Sequence, residues 1–211
     1  MSQHVQEEEE QSQLELLRRH RVYSCTVCTA LIFMTLAALS LLIFYLVLSH
    51  WGPRFGVVST GTTLNKLSLE KGNLLNVNIT LGTNFTNPNK KAAVDFKHIV
   101  VELYFGQTII ANNNVEPGLS APKGGTQSVE VDMVASKVQL FELEIQRLKS
   151  QMLKDKVMFE VRGSFLAQSK LWRHLRYSYR MHGQCSLTMK KPTHGVLVSS
   201  KCKTKKIKSF V

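Results

Sequence analysis

The chain has 211 residues, a formal net charge of +12 and a pI of about 9.7, enough length for one medium domain plus accessory segments. The charge is unevenly spread: residues 1–24 carry five Glu against three Arg, and residues 50–211 carry 24 Lys or Arg against 10 Asp or Glu. A basic pI points to nucleic acid only if the basic half shares a compartment with it, which the topology read below excludes.

Residues 1–21 are polar, include the run Glu7 to Glu10, and predict a disordered cytosolic tail. From Cys25 to Leu48 the chain carries no charge and is rich in Leu, Ile, Val, Phe and Ala. Roughly 20 apolar residues span a hydrocarbon core of about 30 Å, and a backbone there must satisfy its own donors as a helix. The stretch is longer than the apolar region of a cleaved signal peptide, so residues 22–50 predict a single transmembrane signal anchor. Arg18, Arg19 and Arg21 flank its N-terminal end. Positive residues beside a first membrane helix stay cytosolic, which puts the N-terminus in the cytosol and everything after the anchor outside it. Tyr23, Tyr45 and Trp51 lie near the expected interfaces. Cys25 and Cys28, at the cytosolic mouth, are candidates for reversible acylation; the alternative is two small lipid-facing residues.

Residues 51–61 read as a linker and 62–211 as one extracytosolic domain. Leu75, Val77, Ile79 and Leu81 alternate with Asn76, Asn78 and Thr80, the period of a half-buried strand, with Asn78 facing water. Asn87-Pro88-Asn89-Lys90 is a turn signal. Val94 to Phe105 reads as a strand whose parity shifts near His98, the mark of a bulge. Val129, Val131 and Met133 form another alternating set, and Phe141, Ile145, Leu148 and Met152 a helical stripe. Val157, Phe159 and Val161 then alternate as a strand, followed by Leu175 through Met189, and a last strand runs from Val196 to Cys202. Short alternating strands without a β-α-β rhythm predict an all-β antiparallel sandwich with one accessory helix.

Asn78-Ile79-Thr80 and Asn84-Phe85-Thr86 are glycosylation sequons on the extracytosolic side. Cys185 and Cys202 fall on the last two strands, both expected to point inward, in a compartment that permits disulfides. Their bond would contribute about 3 kcal/mol in the chain-entropy model; the alternative is a pair of buried thiols. Arg173, Arg176, Arg180, Lys203, Lys205, Lys206 and Lys208, with Lys201, make a candidate patch for an acidic polysaccharide or anionic lipid. The bland reading is a solvated strand face whose lysines guard an edge. The sequence holds no Gly-x-Ser-x-Gly elbow, phosphate-cradling loop or His-Glu-x-x-His helix, and its His residues are scattered. Neither catalytic residues, nor a metal, nor a cofactor is expected.

Leu81 to Lys91, LGTNFTNPNKK, followed by Val100 to Ile110, VVELYFGQTII, resembles the core of the plant late embryogenesis abundant type-2 domain, also called the water-stress and hypersensitive-response domain. The end of the chain, with Cys185 and Gly195 to Lys203, resembles that family's closing cysteine-bearing strands. The resemblance covers about residues 55–211, and the anchor placement matches the harpin-induced, disease-resistance-like branch. It implies a fibronectin-like sandwich at the plasma membrane facing the wall, acting without catalysis in stress or defence responses through protein partners at the cell surface. An internal membrane with a lumenal C-terminus has the same topology. The alternative function is a tethered carrier of lipid or another apolar ligand held between the sheets.

Overall fold

The computed structural model describes residues 25–43, 52–70, 73–170, 176–191 and 195–207. The chain divides into two compact units, Met1–His50 and Trp51–Val211. In the first, helix α1 spans Cys25–Ile43, with 19 residues of mean hydropathy 2.3, long and apolar enough to cross a membrane. At 1.5 Å per residue it covers roughly 28 Å. Its surface displays Phe33, Met34 and Leu41. Its hydroxyls are satisfied internally: Thr29 donates to the Cys25 carbonyl at 3.0 Å, Thr35 to that of Ile32 at 2.9 Å, and Ser40 to that of Ala37 at 2.9 Å. The expected tail 1–21, with Arg18, Arg19 and Arg21, and both ends of the expected span lie outside the described residues.

The second unit is an antiparallel β-sandwich. Its strands are β1 (Arg54–Glu70), β2 (Leu74–Thr86), β3 (Ala93–Phe105), β4 (Thr108–Val115), β5 (Leu119–Ala121), β6 (Thr126–Gln139), β7 (Val157–Lys170), β8 (Arg176–Met189) and β9 (Leu197–Lys206), with helix α2 (Glu142–Leu153) between β6 and β7. One sheet has the order β1-β2-β6; the other runs β4-β3-β7-β8-β9, with β5 also paired to β3. Alternation produces the core directly. Leu75, Val77, Ile79, Leu81 and Phe85 face inward from β2, and Val94, Phe96, Val101, Leu103 and Phe105 from β3. The rings of Phe55, Phe85, Phe96 and Phe165 pack with centroids 5.3–5.5 Å apart, filling the space between the sheets at one end.

The stretch 51–61, expected to be a linker, instead supplies the first half of β1. Phe55 and Val57 are buried. The strand escapes notice in the sequence because its register shifts twice, between Val58 and Thr63 and between Leu64 and Lys66, so no single parity runs through it. Buried Thr62 bridges the first shift: it donates to the Val58 carbonyl at 2.5 Å and accepts from the Gly82 amide at 2.9 Å. Phe55 lies over the facing pair Gly163 and Gly183. A methyl group on Gly183 would meet the Phe55 ring carbon Cδ1 at 2.5 Å, so this close approach requires glycine.

The turn at Asn87 does more than reverse the chain. Asn87 is fully buried, and its amide donates to the Ala92 and Pro122 carbonyls at 2.8 and 2.9 Å while its Oδ1 accepts from the Asn89 amide at 3.0 Å. Two loops that cross between the sheets are thereby joined. The bulge expected near His98 is present: its φ is 49°, and the β3-β7 ladder skips from Lys97 to Val100. On the helix, Ile145 and Leu148 are buried as the stripe predicts, but Phe141 precedes the helix and is 69% exposed, while Leu140 takes the core position. Glu144 explains the turn. Its carboxylate accepts from the Gln107 amide at 2.8 Å, the Thr108 amide at 3.3 Å and hydroxyl at 2.7 Å, and the Phe141 amide at 3.3 Å, tying the helix start to the β3-β4 hairpin. Burial opposes ionisation of Glu144, yet these donors outweigh it and hold its pKa below the ordinary value.

Two outcomes follow for the full chain in detergent micelles. Asn87→Asp removes both donors and sets a carboxylate against two carbonyl oxygens, so denaturant unfolding should show a loss of about 3 kcal/mol, with Asn87→Ala losing about 2; a midpoint unchanged in both would refute the stitching role. Glu144 has a depressed folded pKa, so its contribution is complete above the unfolded value, near 4.5, and disappears as pH falls through the folded one. Stability measured from pH 6 down to pH 3 (roughly the range a carboxylate covers) should fall more shallowly in Glu144→Gln than in the parent.

Candidate interaction surface

The residues singled out in the sequence divide among three surfaces. Asn78 and Asn84 lie on the outer face of β2, the central strand of the three-stranded sheet, roughly 20 Å apart. Both are half-buried. Asn84 is flanked by Gly56 and Ser128, and the space beside Gly56 is open; Asn78 sits between Lys66 and exposed Val134. The face around them is polar: Asn65 donates to Thr80, and Thr80 to Asp132, at 3.3 and 2.8 Å. Cys25 and Cys28 lie exposed on the first turn of α1.

Cys185 and Cys202 are disulfide-bonded across the β8-β9 ladder, where they stand directly opposite each other. Cys185 is fully buried and Cys202 half-buried, because β9 is an edge strand whose inner face is covered by β1. That cover is hydrogen-bonded: Ser200 donates to the Val57 carbonyl at 2.9 Å, and Thr204 accepts from the Phe55 amide at 2.9 Å.

The basic residues separate by parity. Arg176 and Arg180 on β8 share the outer face with Lys203 and Lys205 on β9, which stand opposite Gln184 and His182. Lys201, opposite Ser186, continues the row. Lys206 does not belong to it. One residue on from Lys205, it points to the other face, where it donates to the Tyr177 hydroxyl at 2.6 Å and lies 4.8 and 4.9 Å from the Tyr177 and Tyr179 ring centres. Burial pushes the Tyr179 phenol above its ordinary pKa. Arg173 and Lys208 lie outside the described residues.

Neighbouring strands of the same sheet differ in electrostatics. On β3 and β7 the cations are matched: Arg162 pairs with Glu160 at 2.6 Å and lies over the Tyr104 ring, Lys170 pairs with Asp95 at 2.7 Å, and Lys97 donates to Gln168 at 3.1 Å. Burial would raise the Asp95 pKa, but Lys170 and Ser120 outweigh it and the net shift is downward. On β8 and β9, Arg176, Arg180, Lys201, Lys203 and Lys205 have no ion-pair partner among the described residues. A depression of about 350 Å³ adjoins Arg180, lined also by His98, Ser164, Phe165 and Leu166. A second, of about 400 Å³, opens on the other side of the His98 bulge, between β4 and β5. The sequence reading groups Lys206 with the patch; the alternation of lysines with Cys202 and Thr204 is the signal that separates it from Lys201, Lys203 and Lys205. The meeting of His98 with Arg180 had no sequence signal, since strand pairing alone brings them together.

A family model described as "Late embryogenesis abundant protein" matches residues 84–183, from within β2 to within β8. No curated protein matches the chain. Among solved structures, a solution structure from Arabidopsis thaliana is similar at 10% identity and TM-score 0.35, over 74% of this chain and 83% of that one. A protein from Archaeoglobus fulgidus is similar at 3% identity and TM-score 0.28, over 74% and 96%. A beta-glucuronidase from glycoside hydrolase family 2 is similar at 15% identity and TM-score 0.30, over 57% of this chain and 11% of that one. Likenesses this remote carry no argument about the site. The matched stretch spans the Asn87 turn, the paired β3 and β7 strands and the first part of β8, and over it the chain is similar to the late embryogenesis abundant family.

Proposed function

We propose that the chain is a single-pass membrane protein with a cytosolic N-terminus, holding its sandwich on the extracytosolic side of the plasma membrane as a non-enzymatic interaction module in plant stress or defence responses. The observation that carries this reading is the sequence of parts: an apolar helix of membrane-spanning length, α1, preceding a domain closed by the Cys185–Cys202 disulfide, a bond that persists in oxidising compartments. Arg18, Arg19 and Arg21 before the helix support the orientation. Asn78 and Asn84 on one polar strand face support glycosylation, and Cys25 and Cys28 on the first helical turn support acylation. The stress role is suggested by the family match over residues 84–183, and the basic outer face of β8 and β9 supports a partner-binding task. The packed phenylalanine rings between the sheets count against the alternative of an apolar-ligand carrier.

Expression in plant cells tests the topology. Glycosidase digestion should remove two mobility steps, Asn78→Gln and Asn84→Gln should each abolish one, and a C-terminal tag should resist protease added to the cytosolic side of sealed vesicles. A glycan-free chain with a protease-sensitive C-terminal tag on that side would reverse the orientation and end this reading.

A further inference from the structure

We propose that the outer face of the β8-β9 pair is a binding track for an unbranched polysaccharide bearing carboxylates, contacted by Arg176, Arg180, Lys201, Lys203 and Lys205. The proposal rests on the extracytosolic placement above for where that polymer is met; the track itself rests on geometry. Alternate residues of one strand are about 6.8 Å apart and neighbouring strands about 4.8 Å. Arg176, Arg180 and the three lysines therefore lie in a narrow row, which extends roughly 34 Å along the strand axis from Arg176 to the Ser186–Lys201 pair. An extended chain of charges matches that shape.

Edge protection accounts for the lysines on β9 and for Arg176, whose stretch of β8 pairs with β7 alone, but less for Arg180, which adjoins the start of the β8-β9 ladder and whose carbonyl accepts from the Ile207 amide at 3.0 Å. These arginines have no ion-pair partner among the described residues, whereas the cations of β3 and β7 do have partners. The row also holds neutral groups: Ser178, whose hydroxyl accepts from Gln168 at 3.1 Å, Gln184, which donates to Glu160 on β7 at 2.9 Å, and Ser186. A polymer carrying hydroxyls as well as carboxylates uses both kinds, while a lipid headgroup layer needs only the charge. Beside Arg180 the surface is concave: the depression lined by Leu166, Ser164 and His98 offers a sugar ring one apolar and two polar contacts, with the Arg180 guanidinium available to a carboxylate.

The test uses the full chain in nanodiscs of zwitterionic lipid, passed over immobilised polygalacturonate at an ionic strength of about 0.01 M, where screening is weak. The chain should be retained, released by added salt, and not retained on the methyl-esterified polymer. Replacing Lys201, Lys203 and Lys205 together by Gln should weaken retention about tenfold, at a few tenths to one kcal/mol per exposed pair. The triple change at Lys90, Lys91 and Lys123, equal in charge but located in loops, should weaken it far less, since it removes only long-range attraction. Arg176→Gln with Arg180→Gln provides a second variant that keeps β9 intact, and thermal unfolding checks that each variant is folded. Equal loss in the loop variant, no retention of the parent, or retention only on vesicles containing anionic lipid would overturn the track. Retention is measured on purified chain, so its failure in a normally glycosylated protein refutes the track alone, and a reversed topology with retention intact refutes the membrane reading alone.

Discussion

One buried side-chain amide connects the two layers of this sandwich. Asn87 ends β2 in one sheet, and its Nδ2 is bound to the carbonyl oxygens of Ala92, which leads into β3 of the other sheet, and of Pro122, which leads back into β6. Its backbone amide donates to the Gly125 carbonyl at 2.8 Å, so both crossings are held by one residue. A buried amide without partners would cost more than the fold gains from a tight turn, so either all these bonds are made or the position cannot be Asn. With them made, the Phe85, Phe96 and Phe165 rings meet between the sheets immediately beside the stitch.

The side of the sandwich at β1 and β9 is closed differently. The two strands belong to different sheets and meet largely through side-chain hydroxyls, Ser200 and Thr204, bound to the backbone of Phe55 and Val57. At the far end the Leu64 amide donates to the Gly195 carbonyl at 2.6 Å. The disulfide holds β9 to β8, so the edge strand is tied covalently on one flank and by hydrogen bonds on the other. This fixes its parity: Cys202 and Thr204 turn inward, and Lys201, Lys203 and Lys205 are left outside. The same constraint that protects the edge creates the row of charge.

Charge compensation divides this surface more sharply than its shallow depressions do. Among the described residues, Arg162 and Lys170 are paired with Glu160 and Asp95 and Lys97 is hydrogen-bonded to the Gln168 amide, whereas the cations of the β8-β9 row have no ion-pair partner. Among the described residues no group of three His, Cys, Asp or Glu side chains is placed to hold a metal. The outer face of the opposite sheet instead joins Asn65, Thr80 and Asp132 in one hydrogen-bonded chain, with Lys66 and exposed Val134 on either side of Asn78.

Much of the architecture was legible in the residues because it follows from period and solvent. An uncharged apolar run predicts a helix long enough for a bilayer, and α1 has that length. Strict alternation placed β2, β6, β7 and β8, the parity shift at His98 located the bulge, and parity put Cys185 and Cys202 inward on the last two strands, where strand pairing sets them opposite each other. What the sequence could not decide was anything set by a partner distant along the chain. β1 hides because its register shifts are absorbed by Thr62 and by glycines on β7 and β8 that admit Phe55. Phe141 leaves the core because Glu144 is drawn to a hairpin some 36 residues away. The row of unpaired cations emerges only when strand order sets β8 beside β9 and leaves every nearby carboxylate on other strands, since local patterning encodes which face a residue occupies and tertiary pairing alone determines who its neighbours are.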